Sequence, residues 1–353
     1  MAHGRYFFPF PPGPANGGAD IGYVARMVQF GYFLSSEEHG PGALLEQAQQ
    51  AEAAGFESVW ISDHFHPWLD DQGESPFVWS VIGAIGAATS LQVMTAVTCP
   101  TMRVHPAIVA QAAATSSLLT GGRFRLGVGT GENLNEHVLG DRWPSTDERL
   151  SMLAEAVAIM RELWTGEQVS FDGDHYMVDR ARLYSAPEAP IEVPVSAFGP
   201  KAATSVADYA DAFVTTSPAD DVIETYRENG GKGPVMAGVK VCWGAEEKEC
   251  VELAHRLWRN SVVPGELAQE LAMPAHFDQA ADLVSTDDVA ERFACGPDPE
   301  RHVAAIKPYL VAGIDELYIN QIGDQQAGFF DFFRNEVEPR LYHPRTEVMP
   351  RSR

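Results

Sequence analysis

The sequence predicts an α/β fold, a single (β/α)8 TIM barrel with insertions, and three observations carry that expectation. Short β-branched or apolar runs alternate with longer helical patterns, the arrangement of βαβ units around a parallel sheet. There are eight such runs, the number that closes a barrel. Glycines and ionisable residues also gather just after several of them, at the strand ends where a barrel carries its active site. The 353 residues, 45% of them hydrophobic, fill one such barrel without a second domain.

In chain order, residues 1–26 are rich in Pro and Gly (Pro9, Pro11, Pro12, Gly13, Pro14, Gly17, Gly18) and read as a flexible N-terminal extension. The barrel domain is expected over 27–345. Its strands are predicted at Val28 to Leu34, Ser58 to Ser62, Leu91 to Thr98 and Phe124 to Thr130, then at Ile191 to Ala197, Ala212 to Thr216, Val235 to Trp243 and Glu316 to Gln321. Helical spacing separates them, as in Leu44, Leu45, Ala48, Ala51 and Ala54, and again over Leu150 to Trp164. Two stretches exceed ordinary loop length. One, near 166–190, has the hairpin-like centre FDGDHY, and the other, near 245–284, is expected to hold extra helices. Phe329, Phe330, Phe332 and Phe333 make a helix face that packs either within the domain or in a subunit interface.

A formal net charge of -24 opposes binding to nucleic acid or to an anionic membrane surface, since both need a Lys/Arg-rich face. The expected partner is a small molecule. The four cysteines, Cys99, Cys242, Cys250 and Cys295, are far apart and form no CxxC pair, so reduced thiols in the cytoplasm are expected rather than a zinc cluster or disulfide framework. No apolar run approaches the roughly 18 residues of a membrane span, and the first residues lack a basic-then-apolar signal layout.

Three strand ends mix ionisable groups with glycine. After the second strand come Asp63, His64, Phe65, His66, Pro67 and Trp68. His64 suits a general base at neutral pH and Asp63 a ligand heteroatom, although a strand-end Asp-His also serves as a plain hydrogen-bonded turn. Trp68 reads as either a site wall or core. A His64-x-His66 metal pair is the rival reading. It lacks further ligands, because later strand ends offer Glu132 and Lys201, so no metal is expected. After the fourth strand, Gly127, Gly129 and Gly131 alternate ahead of Glu132. They do not form GxGxxG and exclude a Rossmann reading. They suit close backbone approach to a ligand, with Glu132 as acid or base, or simply a tight turn. After the fifth strand, Phe198, Gly199, Pro200 and Lys201 offer a turn with one cation.

The segments SDHFHPW (Ser62 to Trp68), CPTMRVHPAIVAQ (Cys99 to Gln111) and GVGTGENLNE (Gly127 to Glu136) together resemble the F420-dependent glucose-6-phosphate dehydrogenase family of the luciferase-like oxidoreductases. The resemblance runs from about Gln29 to Leu341. It implies a barrel that is usually dimeric, here a homodimer, with coenzyme F420 across its C-terminal mouth. Residue by residue, it implies that His64 is the base for a substrate hydroxyl, Trp68 a transition-state-stabilising wall, and Glu132 the acid serving the deazaflavin ring. Asp63, Cys99, Thr130, Asn135, Phe198, Gly199, Lys201 and Ala202 fall at cofactor-contacting positions. Cys99 stands where the family has Thr, and Ala96 and Val97 fall where it has a non-prolyl cis peptide. At the substrate end Thr216 and Arg292 match, but Ala219 and the Ala268 region replace two phosphate-binding lysines, with Glu266 and Glu270 nearby. A sugar or secondary alcohol without this phosphate is therefore expected. An FMN-dependent monooxygenase of the same superfamily and a metal-dependent barrel hydrolase are the alternatives.

Overall fold

The computed structural model describes residues 28–263 and 265–342; the 1–26 extension and residues 343–345 of the expected domain lie outside them. The strands are β1 (Gln29–Leu34), β2 (Ser58–Ile61), β3 (Gln92–Thr95), β4 (Phe124–Arg125), β5 (Val169–Asp172), β6 (Met177–Ala181), β7 (Pro194–Ser196), β8 (Ala212–Thr215), β9 (Val235–Cys242), β10 (Ala294–Cys295) and β11 (Glu316–Gln321). The helices are α1 (Pro41–Ala53), α2 (Val78–Ala88), α3 (Pro106–Leu119), α4 (Asn133–Glu136), α5 (Thr146–Leu163), α6 (Pro200–Val206), α7 (Asp220–Glu228), α8 (Glu247–Trp258), α9 (Leu267–Glu270), α10 (Pro274–Ala280), α11 (Thr286–Arg292), α12 (Pro299–Val311), α13 (Gln326–Phe332) and α14 (Glu338–Tyr342).

Parallel pairing runs β4-β3-β2-β1-β11-β9-β8-β7, and a bridge between Val128 and Val195 joins the two ends into a ring. These are the eight expected strands. The fourth is shorter than expected, with regular pairing ending at Arg125. The alternate glycines explain why: they bring the backbone against its neighbours, and a Cβ at Gly127 would lie 2.0 Å from the Thr95 carbonyl oxygen. β10 was not foreseen; it adds two residues beside the end of β9, too few to show a period. Between α5 and β7, β5 and β6 form an antiparallel hairpin. The stretch after β9 holds α8, α9 and α10.

Proline opens α1, α3, α6, α10 and α12, where its missing N–H costs no hydrogen bond. Ser145 caps α5 by accepting from the Glu148 amide. Inside the barrel Trp60 stacks on Tyr318 with ring centroids 4.0 Å apart, alongside Met94, Val214 and Met236. A second packing zone lies between sheet and helices. Phe329, Phe330 and Phe333 are buried there against Phe30, Tyr32 and Phe56, so this aromatic face packs within the domain. Each such ring contributes roughly 1.5–3 kcal/mol by leaving water.

Candidate active site

The chain turns away from the sheet after Ile61, and this turn sets His64 at the C-terminal mouth of the barrel. Ser62 begins the turn; its hydroxyl donates to Glu37 at 2.6 Å, and its carbonyl accepts from the Ser36 hydroxyl at 2.8 Å. These bonds tie the end of β2 to the end of β1. His64 Nδ1 lies 3.1 Å from the Asn135 amide nitrogen and 3.3 Å from the His66 carbonyl oxygen. Its Nε2 has no hydrogen-bond partner among the described residues and faces Glu37 Oε1 at 3.6 Å. Nδ1 is thus held by protein; in the tautomer whose Nδ1 proton points to the His66 carbonyl, Nε2 is the nitrogen left to take a proton. An imidazolium formed there would meet a buried carboxylate. Burial alone would raise the Glu37 pKa, but the charges of His64 and Lys240 and the Ser62 hydrogen bond outweigh it and lower it. The Trp68 ring packs edge-on to His64 at 5.0 Å and to Phe277 at 5.1 Å.

Lys240 completes this side. Its Nζ sits 3.6 Å from the Trp258 ring centroid and 3.3 Å from the Asn320 side-chain oxygen. Burial lowers its pKa, against the pull of Glu37 and Glu38. Glu38 accepts from the Gly323 amide at 2.9 Å and from the Trp258 indole.

A second ionic group lies across the mouth. Asp63 accepts from Thr98 at 2.7 Å and from Arg103 at 2.9 Å, while Arg103 also approaches Glu136, its amide donating at 2.9 Å. Burial, opposed by Arg103 and reinforced by Glu132 and Asp63, pushes the Glu136 carboxyl up to about 7. Glu132 occupies the N-cap position of α4 without a side-chain capping bond, and the Asn135 side-chain nitrogen lies 3.4 Å from its carboxylate. The Asn135 side-chain oxygen accepts from the amides of Phe65 at 2.8 Å and His66 at 3.1 Å. Asn135 therefore joins the loop bearing His64 to the turn bearing Glu132.

Beside Glu132 opens a shallow cleft lined by Val97, Gly129, Thr130, Glu132, Phe198 and Gln269, among others. The peptide between Ala96 and Val97 is cis. Gly131 has a φ of +77°, which glycine adopts without strain. A Cβ at Gly199 would meet open space. Of the other cofactor positions, Ala202 lines the cleft, and the exposed Lys201 pairs outward with Asp147 on α5. Cys99 turns its sulfur to the Thr101 hydroxyl at 3.0 Å beneath Gly131. Asp63, Asn135 and Cys99 thus already direct polar atoms to protein partners. At the substrate end Thr216 and Arg292 are exposed. Tyr309 relates them, donating to the Thr216 carbonyl at 3.2 Å and feeling the Arg292 charge. Ala268 packs beside Leu134, Phe277 and Trp68, an apolar wall.

No cluster of His, Cys, Asp and Glu suited to a metal ion occurs among the described residues, and none of their helices is long and apolar enough to cross a membrane. Glu37, Arg103, Glu136 and Lys240 were missed in the sequence. Glu37 was findable, because Ser35, Ser36 and Glu37 directly follow β1 just as Asp63 and His64 follow β2.

The luciferase-like monooxygenase family matches residues 23–316. An F420-dependent glucose-6-phosphate dehydrogenase from Rhodococcus jostii (strain RHA1) is 37% identical over 331 residues, covering 89% of this chain and 98% of the relative. One from Nakamurella multipartita is 35% identical, covering 89% and 96%. Among solved structures, an F420-dependent secondary alcohol dehydrogenase in complex with an F420-acetone adduct superposes with a TM-score of 0.82 at 33% identity, covering 89% of this chain and 99% of the other. A coenzyme F420 dependent tetrahydromethanopterin reductase from Methanopyrus kandleri shares the fold, with a TM-score of 0.72 at 20% identity.

Proposed function

The chain belongs to the luciferase-like family, in its F420-dependent glucose-6-phosphate dehydrogenase group, and from that membership we propose that it is an F420-dependent dehydrogenase acting on the CH–OH group of a small molecule. F420, when bound, would supply the deazaflavin C5 that accepts hydride. The cleft walls formed by Val97, Gly129, Thr130, Phe198 and Ala202 and the open space over Gly199 suit a flat ring followed by a tail. The observation that carries the reading is His64 Nε2, which lacks a hydrogen-bond partner among the described residues and is backed by Glu37 at 3.6 Å. His64 takes the substrate hydroxyl proton, and Glu37 stabilises the resulting charge. Trp68 closes the pocket against His64, and Glu132 holds or moves a proton at the ring edge.

The substrate in this reading is a sugar or secondary alcohol without a phosphate. Ala219 and the region of Ala268 stand where the family places phosphate-binding lysines, and Ala268 lies in an apolar cluster. Arg292 alone leaves a dianion poorly neutralised, since such a group needs several charge-assisted donors. Pairing with a second copy of the chain belongs to the same reading. The apolar groove of α2 and α3, where Phe77, Ile108 and Leu119 are 59%, 56% and 53% exposed, offers a face for it, and sedimentation checks it. A cytoplasmic location fits the free thiols.

Equilibrium binding of oxidised F420 and, in parallel, FMN, followed by each ligand's own fluorescence, tests the cofactor. Binding of F420 alone supports the dehydrogenase; binding of FMN alone transfers the chain to the monooxygenases. Rates with glucose 6-phosphate and glucose then test the substrate. A strong preference for the phosphate ester would overturn the phosphate-free reading while leaving the cofactor assignment intact.

A further inference from the structure

One residue lining the cleft comes from the long stretch after β9. Gln269 lies on α9, and three side chains from the segment following β4 tie that short helix down. The Asn133 side-chain amide donates to the Glu270 carbonyl at 2.9 Å, the Trp143 indole donates to the Glu270 carboxylate at 3.3 Å, and Arg149 donates to the Gln269 side-chain oxygen at 3.0 Å. On either side of Gln269, Ala268 and Leu271 pack on the apolar cluster of Leu69, Leu134 and Phe277, which Trp68 also joins. Gln269 therefore stands where the Trp68 wall meets the cleft beside Glu132.

Arg149 decides which way the Gln269 amide faces. It is 1% exposed, lies over the Trp143 ring at 4.2 Å, and donates to the Pro144 carbonyl at 2.7 Å. A guanidinium only donates, so the Gln269 atom it meets is the oxygen. The amide nitrogen keeps its two N–H groups without a hydrogen-bond partner among the described residues, on a side chain that lines the cleft.

We propose, resting on the reading of this chain as an F420-dependent dehydrogenase, that Gln269 is a specificity-determining residue whose N–H groups donate to a second, uncharged oxygen of the substrate, which is therefore a neutral sugar or polyol. Arg149 is the positioning residue behind it. The donor suits a hydroxyl and not a phosphate. An amide carries no charge to offset a dianion, Glu132 lines the same cleft, and the terminal nitrogens of Arg149 are already committed to Pro144, Gln269 and Glu270. An N–H covered by bound substrate loses its water, so a substrate lacking the matching oxygen is disfavoured.

The test uses the full-length chain with F420, whose binding is read from its own fluorescence. kcat/KM is measured for a set of neutral sugars and polyols, and for 2-propanol, which has no second oxygen, in the wild type, Gln269→Leu and Gln269→Glu. The wild type should favour the best polyol over 2-propanol by about tenfold or more, and both variants should lose about tenfold on that polyol, mainly through KM, while 2-propanol changes less than about twofold. Gln269→Glu separates donation from scaffolding, because its carboxylate keeps the Arg149 partner yet cannot donate. Full polyol activity in that variant would mean that the side chain only holds α9 in place, and overturns the proposal. A wild type that favours no polyol over 2-propanol, or a variant loss that is equal on both substrates, overturns it as well. Each of these failures with F420 bound leaves the dehydrogenase reading standing, whereas a wild type that binds no F420 defeats that reading and the proposal with it.

Discussion

At the N-terminal end of the barrel Arg125 gives Glu316 two hydrogen bonds of 2.9 Å, reaches Glu192 at 2.7 Å, and has Tyr318 donating to the same Glu316 at 2.8 Å. At the C-terminal end His64 faces Glu37 across 3.6 Å, Arg103 reaches Glu136 only at 3.7 Å through Nε, and burial lowers the Lys240 pKa. Both ends place charge in low dielectric. The lower end satisfies it with short charge-assisted bonds, Nη1 of Arg125 meeting both Glu316 oxygens and Nε meeting Glu192, which favours stability. The mouth pairs Arg103 with Asp63 just as closely, at 2.9 Å, but leaves its other pairs longer and shifts several groups, the pattern of a site that moves protons. Charge at the bottom should therefore answer to unfolding assays, and charge at the mouth to turnover and pH.

The largest expected effect is at the mouth. His64→Ala should lower kcat by about 10²- to 10⁴-fold, the range for loss of a general base, a larger effect on turnover than on the melting temperature. Undiminished turnover in a steady-state assay would remove His64 from the chemistry. Arg125→Met should do the opposite. It strands a buried Glu316 carboxylate, which costs about 3–5 kcal/mol, read by urea unfolding, with F420 affinity unchanged in whatever protein remains folded. A loss of affinity in R125M without a loss of stability would break the division between the two ends.

Glu136 sharpens the contrast through pH. Its carboxyl titrates at about 7 in the folded chain against an ordinary 4.5. The native state thus holds the proton more tightly than the unfolded chain. This contribution is fully present below pH about 4.5 and is lost as pH rises to about 7, up to roughly 3 kcal/mol in all. Glu136→Gln should flatten that slope in unfolding measured from pH 5 to 8, since a neutral amide cannot titrate. An unchanged slope would mean that Arg103 keeps Glu136 ionised throughout.

The eight strands were legible because parallel strands buried on both faces read as apolar runs, and the strand-end rule then pointed to Asp63, His64 and Glu132. What it did not give were the partners. Arg103 lies in a loop and reaches Asp63 across 40 positions of sequence, and Lys240 sits within a strand whose apolar neighbours hide it. The cysteines show the same limit, since Cys242 and Cys295 come together only through the register of β9 and β10. Periodicity reports which face a residue occupies, whereas pairing depends on how distant strands are aligned.

The smallest effect separates a cation beside the mouth from one in it. Lys201, 63% exposed, pairs with Asp147, itself 74% exposed, and an exposed pair of this kind contributes about 0–1 kcal/mol. Lys201→Ala should therefore leave unfolding unchanged within that range. If Lys201 turns inward to meet an anionic cofactor tail, the same variant weakens F420 binding, and the loss shrinks as salt is raised, because screening acts on exposed charge. If it stays with Asp147, affinity is unchanged at every ionic strength. Lys201 then belongs with the structural charges of the lower end, despite standing at the rim of the cleft.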